Sequence, residues 1–229
     1  MSDLLSRASV SNHILKGLSG DNFALLAPRL QPVNLPVRKV LEARNRKVGN
    51  VYFIESGFAS IVANGASGPA IEVGLVGREG LTGLAVVMGD ERPVHETFIQ
   101  AAGTGLQLKS DHLRQAIDKS VSLHRALLRY AYSFQTQVTQ TALSNGRSKI
   151  EERLSRWLLM ADDRLDGAEL SLTHEFLSVM LGVQRSGVTL ALQALERDGL
   201  ISTRRSRITI IDRKALEKNA NGAYTPPRK

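Results

Sequence analysis

The sequence predicts an α+β chain of three successive parts. These are an N-terminal antiparallel β-barrel or double-sheet roll of jelly-roll kind, a long helix, and a C-terminal winged helix-turn-helix. Three observations predict it. Up to about residue 110, short β-branched runs alternate with Gly- and Pro-bearing turns. From Leu113 to Asn145, Gly and Pro vanish and apolar residues recur at spacings of three and four. Beyond Gly146 the apolar spacing stays helical, and a glycine turn separates two amphipathic runs ahead of a basic hairpin. The corresponding segments are 1–112, 113–145 and 146–229.

The chain has 229 residues, 42% hydrophobic and 23% charged, with a mean hydropathy of −0.12. That is enough apolar material for a sizeable core, and it excludes wholesale disorder. No apolar run approaches the ~18 residues of a membrane span. Met1–Arg7 lacks the basic flank and apolar stretch of a secretory signal, so a cytoplasmic location without a membrane partner is expected. The absence of cysteine excludes disulfides, thiolate metal sites and cysteine-ligated iron–sulfur clusters. The net charge is +8. Residues 1–146 and 147–229 each hold 15 basic and 11 acidic side chains, so the excess is denser in the shorter second part. A basic balance suits nucleic acid, although a solvated charged face gives the same composition.

In the first part a short helical preamble (residues 4–30) precedes strand-like runs at Val51–Ile54, Ala59–Ala63 and Ile71–Val76. Turn signals separate them at Glu55-Ser56-Gly57, Asn64-Gly65 and Ser67-Gly68-Pro69. In the second part Leu123, Leu127, Tyr130, Ala131, Phe134, Val138 and Ala142 form one apolar stripe. Thirty helical residues span ~45 Å. Such a helix can pack wholly within its own chain or pair with a copy of itself. The stripe outruns the roll that would have to cover it, which favours a dimer through Leu127, Phe134 and Val138. A second stripe, Ile150, Leu154, Trp157, Leu158 and Ala161, opens the third part. The polar tail from Asn219 is expected to fray.

The informative stretch runs from Ser171 to Leu200. Thr173 is a candidate N-cap for a short helix, with Glu175 in its first turn. Gly182 supplies a sharp turn. A second helix starts near Gln184-Arg185, burying Val188, Ala191, Leu192 and Leu195, and Gly199 stops it. Leu200-Ile201 and Ile208–Ile211 then read as two strands around a turn that carries Arg204, Arg205 and Arg207. In this arrangement the second helix enters the DNA major groove and the hairpin meets phosphates. The expected DNA-binding residues are Thr173, Gln184, Arg185, Ser186, Thr189, Arg204, Arg205 and Arg207. Arg185 can grip guanine in bidentate fashion, and Gln184 suits adenine.

These features together resemble the Crp/Fnr family of transcription regulators over nearly the full chain. The resemblance is carried by Val51-Tyr-Phe-Ile-Glu-Ser-Gly57, by Val73-Gly-Leu-Val-Gly-Arg-Glu-Gly-Leu81, by Leu172–Thr189 and by Leu195–Ile201. It implies a cyclic-nucleotide-binding-like β-roll (a double-stranded β-helix), a dimerisation helix and a winged helix-turn-helix. It implies double-stranded DNA and a second copy of the chain as partners, with RNA polymerase and a small-molecule effector as the further partners of such regulators. An effector pocket would draw on Arg78, Glu79, Gly80, Arg92, His95 and Glu96. Cyclic-nucleotide-binding members place Arg-Ser or Arg-Thr on the cyclic phosphate, where this chain has His95-Glu96. A carboxylate repels that phosphate and a neutral imidazole is a poor substitute for guanidinium, so cyclic AMP is not the expected effector. A cyclic-nucleotide-responsive regulator with an atypical pocket is the alternative. The family's reading triplet is also altered, since Leu190 stands where a second arginine would fall, and a different operator is expected.

No catalytic constellation emerges. The five histidines, His13, His95, His112, His124 and His174, show no paired metal-ligand spacing. The glycine-rich Gly74–Gly83 lacks the Gly-Lys-[Ser/Thr] of a phosphate loop, and Gly103-Thr104-Gly105 lacks a third glycine. No metal and no resident cofactor are expected. A small-molecule-binding β-roll enzyme with a basic tail is the alternative from another class. It would need a His/Glu cluster on the roll strands that the sequence lacks.

Overall fold

The computed structural model describes residues 5–64, 70–165, 170–204 and 207–226. In chain order it has α1 (His13–Gly17), α2 (Gly20–Leu26), β1 (Gln31–Leu35), β2 (Val40–Glu42), β3 (Asn50–Ile54), β4 (Phe58–Ala63) and β5 (Ile71–Val76). Then follow α3 (Leu84–Val87), β6 (Glu96–Ala101), β7 (Gly103–Lys109), α4 (Ser110–Lys119) and α5 (Val121–Arg147). The remainder is α6 (Ile150–Asp162), β8 (Leu170–Ser171), α7 (His174–Leu181), α8 (Arg185–Arg197), β9 (Ile201–Arg204), β10 (Arg207–Ile210) and α9 (Arg213–Asn219). The turn expected over Gly65–Pro69 lies outside the described residues. The chain divides into two compact units, one holding residues 5–61 and 75–136, the other 62–74 and the chain from 137 onward.

In the first unit β7 lies between β1 and β3 in one antiparallel sheet, with Val33 opposite Gly105 and Phe53 opposite Leu106. A second sheet has the order β2-β6-β4-β5. Their apolar faces, Phe53, Ile54, Val76, Ile99 and Leu108 among them, form one core with Leu81 and the helices. The segment after β5 is closed by its own bonds. The Asn12 amide donates to the Gly80 carbonyl at 2.7 Å and to Ile54 at 2.9 Å. Gly80 is required there because a Cβ would lie 2.2 Å from the Tyr130 hydroxyl of α5. The next turn is held from β2, where the buried Glu42 carboxylate accepts the Gly83 N–H at 2.9 Å. Burial pushes the Glu42 carboxyl above its ordinary range, opposed by hydrogen bonds from Gly83 and Thr97.

Two expectations for the helical stripe are corrected. The helix is not continuous from Leu113, because Ser120 interrupts it in an extended conformation. Ser120 closes α4 by donating its N–H to Ala116 and Ile117, and its hydroxyl oxygen caps α5 by accepting the Leu123 N–H at 3.2 Å. Nor does the first half of the stripe face away from the chain, although Val138 is only half-buried and Ala142 is exposed. Leu123 and Leu127 are 0% exposed and Tyr130 is buried, all three in the first unit's own core. Phe134 is half-buried against the same core, its ring 6.5 Å from that of Tyr130. Leu127 therefore cannot meet a second copy in this arrangement. The exposed apolar residues of α5 are Val121, Leu128, Tyr132 and Leu143, rotated roughly 100–160° from Leu127 of the expected seam.

In the second unit α6 buries Leu154, Trp157, Leu158 and Ala161, four of the five residues of the expected stripe. The Trp157 indole donates to the buried Glu72 carboxylate at 2.6 Å. Arg156 is buried beside them, its Nε–H donating to the Ala223 carbonyl at 2.9 Å. Burial pushes this guanidinium down to about 10, partly opposed by Glu72. Strand β10 pairs with both β8 and β9. The tail is anchored rather than frayed as far as Tyr224, whose hydroxyl donates to Asp163 at 2.8 Å and accepts from Arg213 at 2.7 Å.

Candidate nucleic-acid interface

The interface is built around α7 and α8. Thr173 caps α7, its hydroxyl oxygen accepting the Phe176 N–H at 3.1 Å. Gly182 ends α7 at φ +61°, a left-handed conformation that an L side chain resists. There the Val183 N–H returns to the Ser178 carbonyl at 3.0 Å. The chain then enters α8, with Gln184 at its N-cap and Arg185 and Ser186 in its first turn. The inward face of α8 is Val188, Ala191, Leu192 and Leu195, as the spacing predicts. Gln184, Arg185, Ser186 and Leu190 are exposed, Leu190 at 65%. Thr189 is half-buried and its hydroxyl is engaged, donating to the Arg185 carbonyl at 3.1 Å and lying 3.0 Å from His174 Nδ1.

The wing is tied to the same helix. Glu196 of α8 accepts the Thr203 N–H at 2.7 Å and the Thr203 hydroxyl at 2.8 Å. These bonds hold its carboxyl below the ordinary range. Arg204 and Arg207 are directly opposite one another in the pair next to the hairpin's turn, both exposed. Arg205 lies outside the described residues. A cavity of about 160 Å³ between α7, α8 and the wing is lined by His174, Thr203, Arg204 and Arg207 over an apolar floor of Leu172, Leu192 and Ile208. Sequence reasoning missed His174, because its partner Thr189 is fifteen residues away on another helix and no spacing rule joins them.

The six expected effector-pocket residues fall in two stretches. Arg78, Glu79 and Gly80 form the turn after β5, where the Arg78 carbonyl accepts the His13 N–H at 2.7 Å and Glu79 accepts the Gly77 N–H at 3.1 Å. Arg92 is exposed and donates to the Asn45 carbonyl at 3.2 Å. His95 and Glu96 are half-buried at the entry to β6, and His95 Nδ1 is buried without a hydrogen-bond partner among the described residues. A cavity of about 590 Å³ in this unit lies instead beside α3, α4 and α5, at Met88, Glu91, Arg114, Asp118, His124 and Leu128. None of the six lines it. Among the described residues no group of three or more His, Asp or Glu is placed to hold a metal, and no helix is long and apolar enough to cross a membrane.

Fold and site together define a β-roll protein with a C-terminal winged helix-turn-helix. Residues 152–219 match the Crp-like helix-turn-helix domain. The transcriptional regulator LdrP of Thermus thermophilus is 26% identical over 200 residues, covering 81% of this chain and 95% of that protein. A CRP-family transcriptional regulator from the same organism has the same fold, with a TM-score of 0.70 at 20% identity over 85% of this chain and 99% of that one. FixK2 from Bradyrhizobium japonicum also shares it, with a TM-score of 0.70 at 17% identity over 82% of this chain and 96% of its own. The chain carries a Crp-like, DNA-binding helix-turn-helix over residues 152–219 and is similar to a transcriptional regulator along most of its length.

Proposed function

We propose that the chain acts as a homodimeric, sequence-specific DNA-binding regulator that recognises a palindromic operator and does not respond to cyclic AMP. The observation that carries the reading is the exposed start of α8, with Gln184, Arg185 and Ser186, on a helix tied to a wing that exposes Arg204 and Arg207. A helix start bearing exposed hydrogen-bonding side chains suits base edges, and exposed guanidiniums on the wing suit phosphates. Leu190, apolar and exposed on the same helix, suits a thymine methyl. Two such heads related by a two-fold axis meet successive major grooves ~34 Å apart, which makes the operator palindromic.

The dimer reading now rests on the exposed face of α5. Leu128 and Tyr132 are four residues apart on one side of the helix, and Tyr132 is 63% exposed. The reading against cyclic AMP rests on Glu96 beside His95, with no guanidinium in the pair. Within this reading Arg78, Glu79, Gly80, Arg92, His95 and Glu96 remain the residues proposed to face any effector, and no activity as an enzyme is assigned. The test is selection of bound duplexes from a random pool, followed by competition at fixed salt. An enriched sequence with two-fold symmetry supports the proposal. A pool bound without enrichment refutes sequence-specific regulation.

A further inference from the structure

We infer that His174, with Arg204 and Arg207, forms a site for a phosphate oxygen of the DNA backbone that engages only when the imidazole is protonated. The inference rests on the DNA-binding reading above and adds a proton to it. The Thr189 hydroxyl has one hydrogen, and it is directed at the Arg185 carbonyl 3.1 Å away. With that hydrogen on the carbonyl, the hydroxyl oxygen presents lone pairs to His174 Nδ1 at 3.0 Å, an arrangement that matches the Nδ1–H tautomer. Anchored this way, the neutral ring has its lone pair on Nε2, and protonation adds a hydrogen there. A lone pair repels a phosphate oxygen, whereas a charged N–H binds it.

The ring lines the cavity of about 160 Å³ shared with Thr203, Arg204 and Arg207, so the imidazolium is a third cation around one concave site. Glu175 follows His174 on α7 and is exposed, and Arg185 on α8 meets the pair through its carbonyl. Glu196 is committed to Thr203 by two hydrogen bonds. A phosphate between the two guanidiniums would favour the imidazolium. Proton uptake and DNA binding then favour one another reciprocally, in the pH range where histidine changes charge.

The full chain is titrated onto labelled random-sequence duplex across a salt series at about pH 8 and about pH 6, a window set by histidine. The slope of log affinity against log salt should steepen by ~0.9 per site at the lower pH. His174→Gln, which keeps a donor for Thr189, should give the shallow slope at both pH values, and His174→Lys the steep one at both. Equal wild-type slopes, or a pH difference that persists in His174→Gln, overturn the inference. Absence of DNA binding at either pH instead overturns the DNA-binding reading itself. In proton NMR the His174 titration should move upward on adding duplex and stay in place on adding inorganic phosphate alone. A shift with inorganic phosphate alone assigns the site to free anion and overturns the assignment to DNA.

Discussion

The two faces of α5 make opposite predictions for neighbouring residues. Tyr132 is 63% exposed. With ~200 Å² for an aromatic side chain, about 120 Å² is available for burial against a second copy. At ~25 cal/mol per Å² this is worth ~3 kcal/mol. Ordering the side chain takes back ~1 kcal/mol, and the two-fold axis doubles the remainder to ~4 kcal/mol. Tyr132→Asp should therefore raise the dimer dissociation constant about 1,000-fold, at 1.4 kcal/mol per decade. Its melting temperature as a monomer should hardly change, because the position is at the surface. Leu127→Ala should behave in the reverse way. That side chain is 0% exposed in the first unit's core, so its truncation should cost ~2–5 kcal/mol of stability and leave the folded protein's self-association intact. Sedimentation velocity at low micromolar concentration, beside thermal melts followed by circular dichroism, reads both quantities. A Tyr132→Asp protein that remains dimeric, or a stably folded Leu127→Ala protein that is monomeric, refutes the assignment of faces.

Three further outcomes are expected. Arg185→Ala should reduce the preference for operator over random duplex by roughly 5- to 150-fold, equivalent to about 1–3 kcal/mol, in competition binding, whereas Arg204→Ala should weaken both duplexes alike and flatten the salt slope by ~0.9. Equal losses for Arg185→Ala on the two duplexes sink its base-reading role. Glu42→Gln should raise the melting temperature at neutral pH, because burial raises the folded carboxyl above its unfolded range and its favourable contribution is lost as pH rises through that raised value. Below the unfolded range both forms are neutral and the gain should vanish, so a gain of equal size in acid contradicts this account. Calorimetric titration with cyclic AMP should give no saturable heat, and tight stoichiometric binding would overturn the reading of His95-Glu96.

The sequence discloses most readily what repeats along the chain. The stripes of α6 and α8 were legible residue by residue, since burial of Leu154, Trp157 and Leu158, or of Val188, Ala191 and Leu192, follows from helical spacing alone. The Thr173 cap and Gly182 turn were legible because each residue type has a local reason to be there. The break at Ser120 was not. Serine is ordinary within a helix, and the hydroxyl caps α5 while also donating to Asn22 at 2.7 Å, ninety-eight residues away in sequence. The face of α5 was misjudged for a related reason. Periodicity shows that Leu123, Leu127 and Tyr130 lie together, but whether a roll or a second copy covers them depends on the three-dimensional course of the strands.

The same distinction separates the two halves of the candidate site. A recognition helix must bury one face on its neighbours, so once Val188, Ala191, Leu192 and Leu195 are assigned inward, Arg185, Ser186 and Leu190 are left outward by subtraction. That makes the reading surface a by-product of the core, and local sequence suffices to find it. The cavity at His174 has no such complement. It exists because β9 and β10 return beside the N-terminal end of α7, and because Glu196 clamps Thr203 so that Arg204 and Arg207 open onto the same space. Its pieces come from three elements whose sequence spacings are unrelated, so only the folded chain shows that an imidazole and two guanidiniums share one hollow. The exposed surface of a helix can thus be read from its pattern, whereas a concave charged site depends on how separate elements close around it.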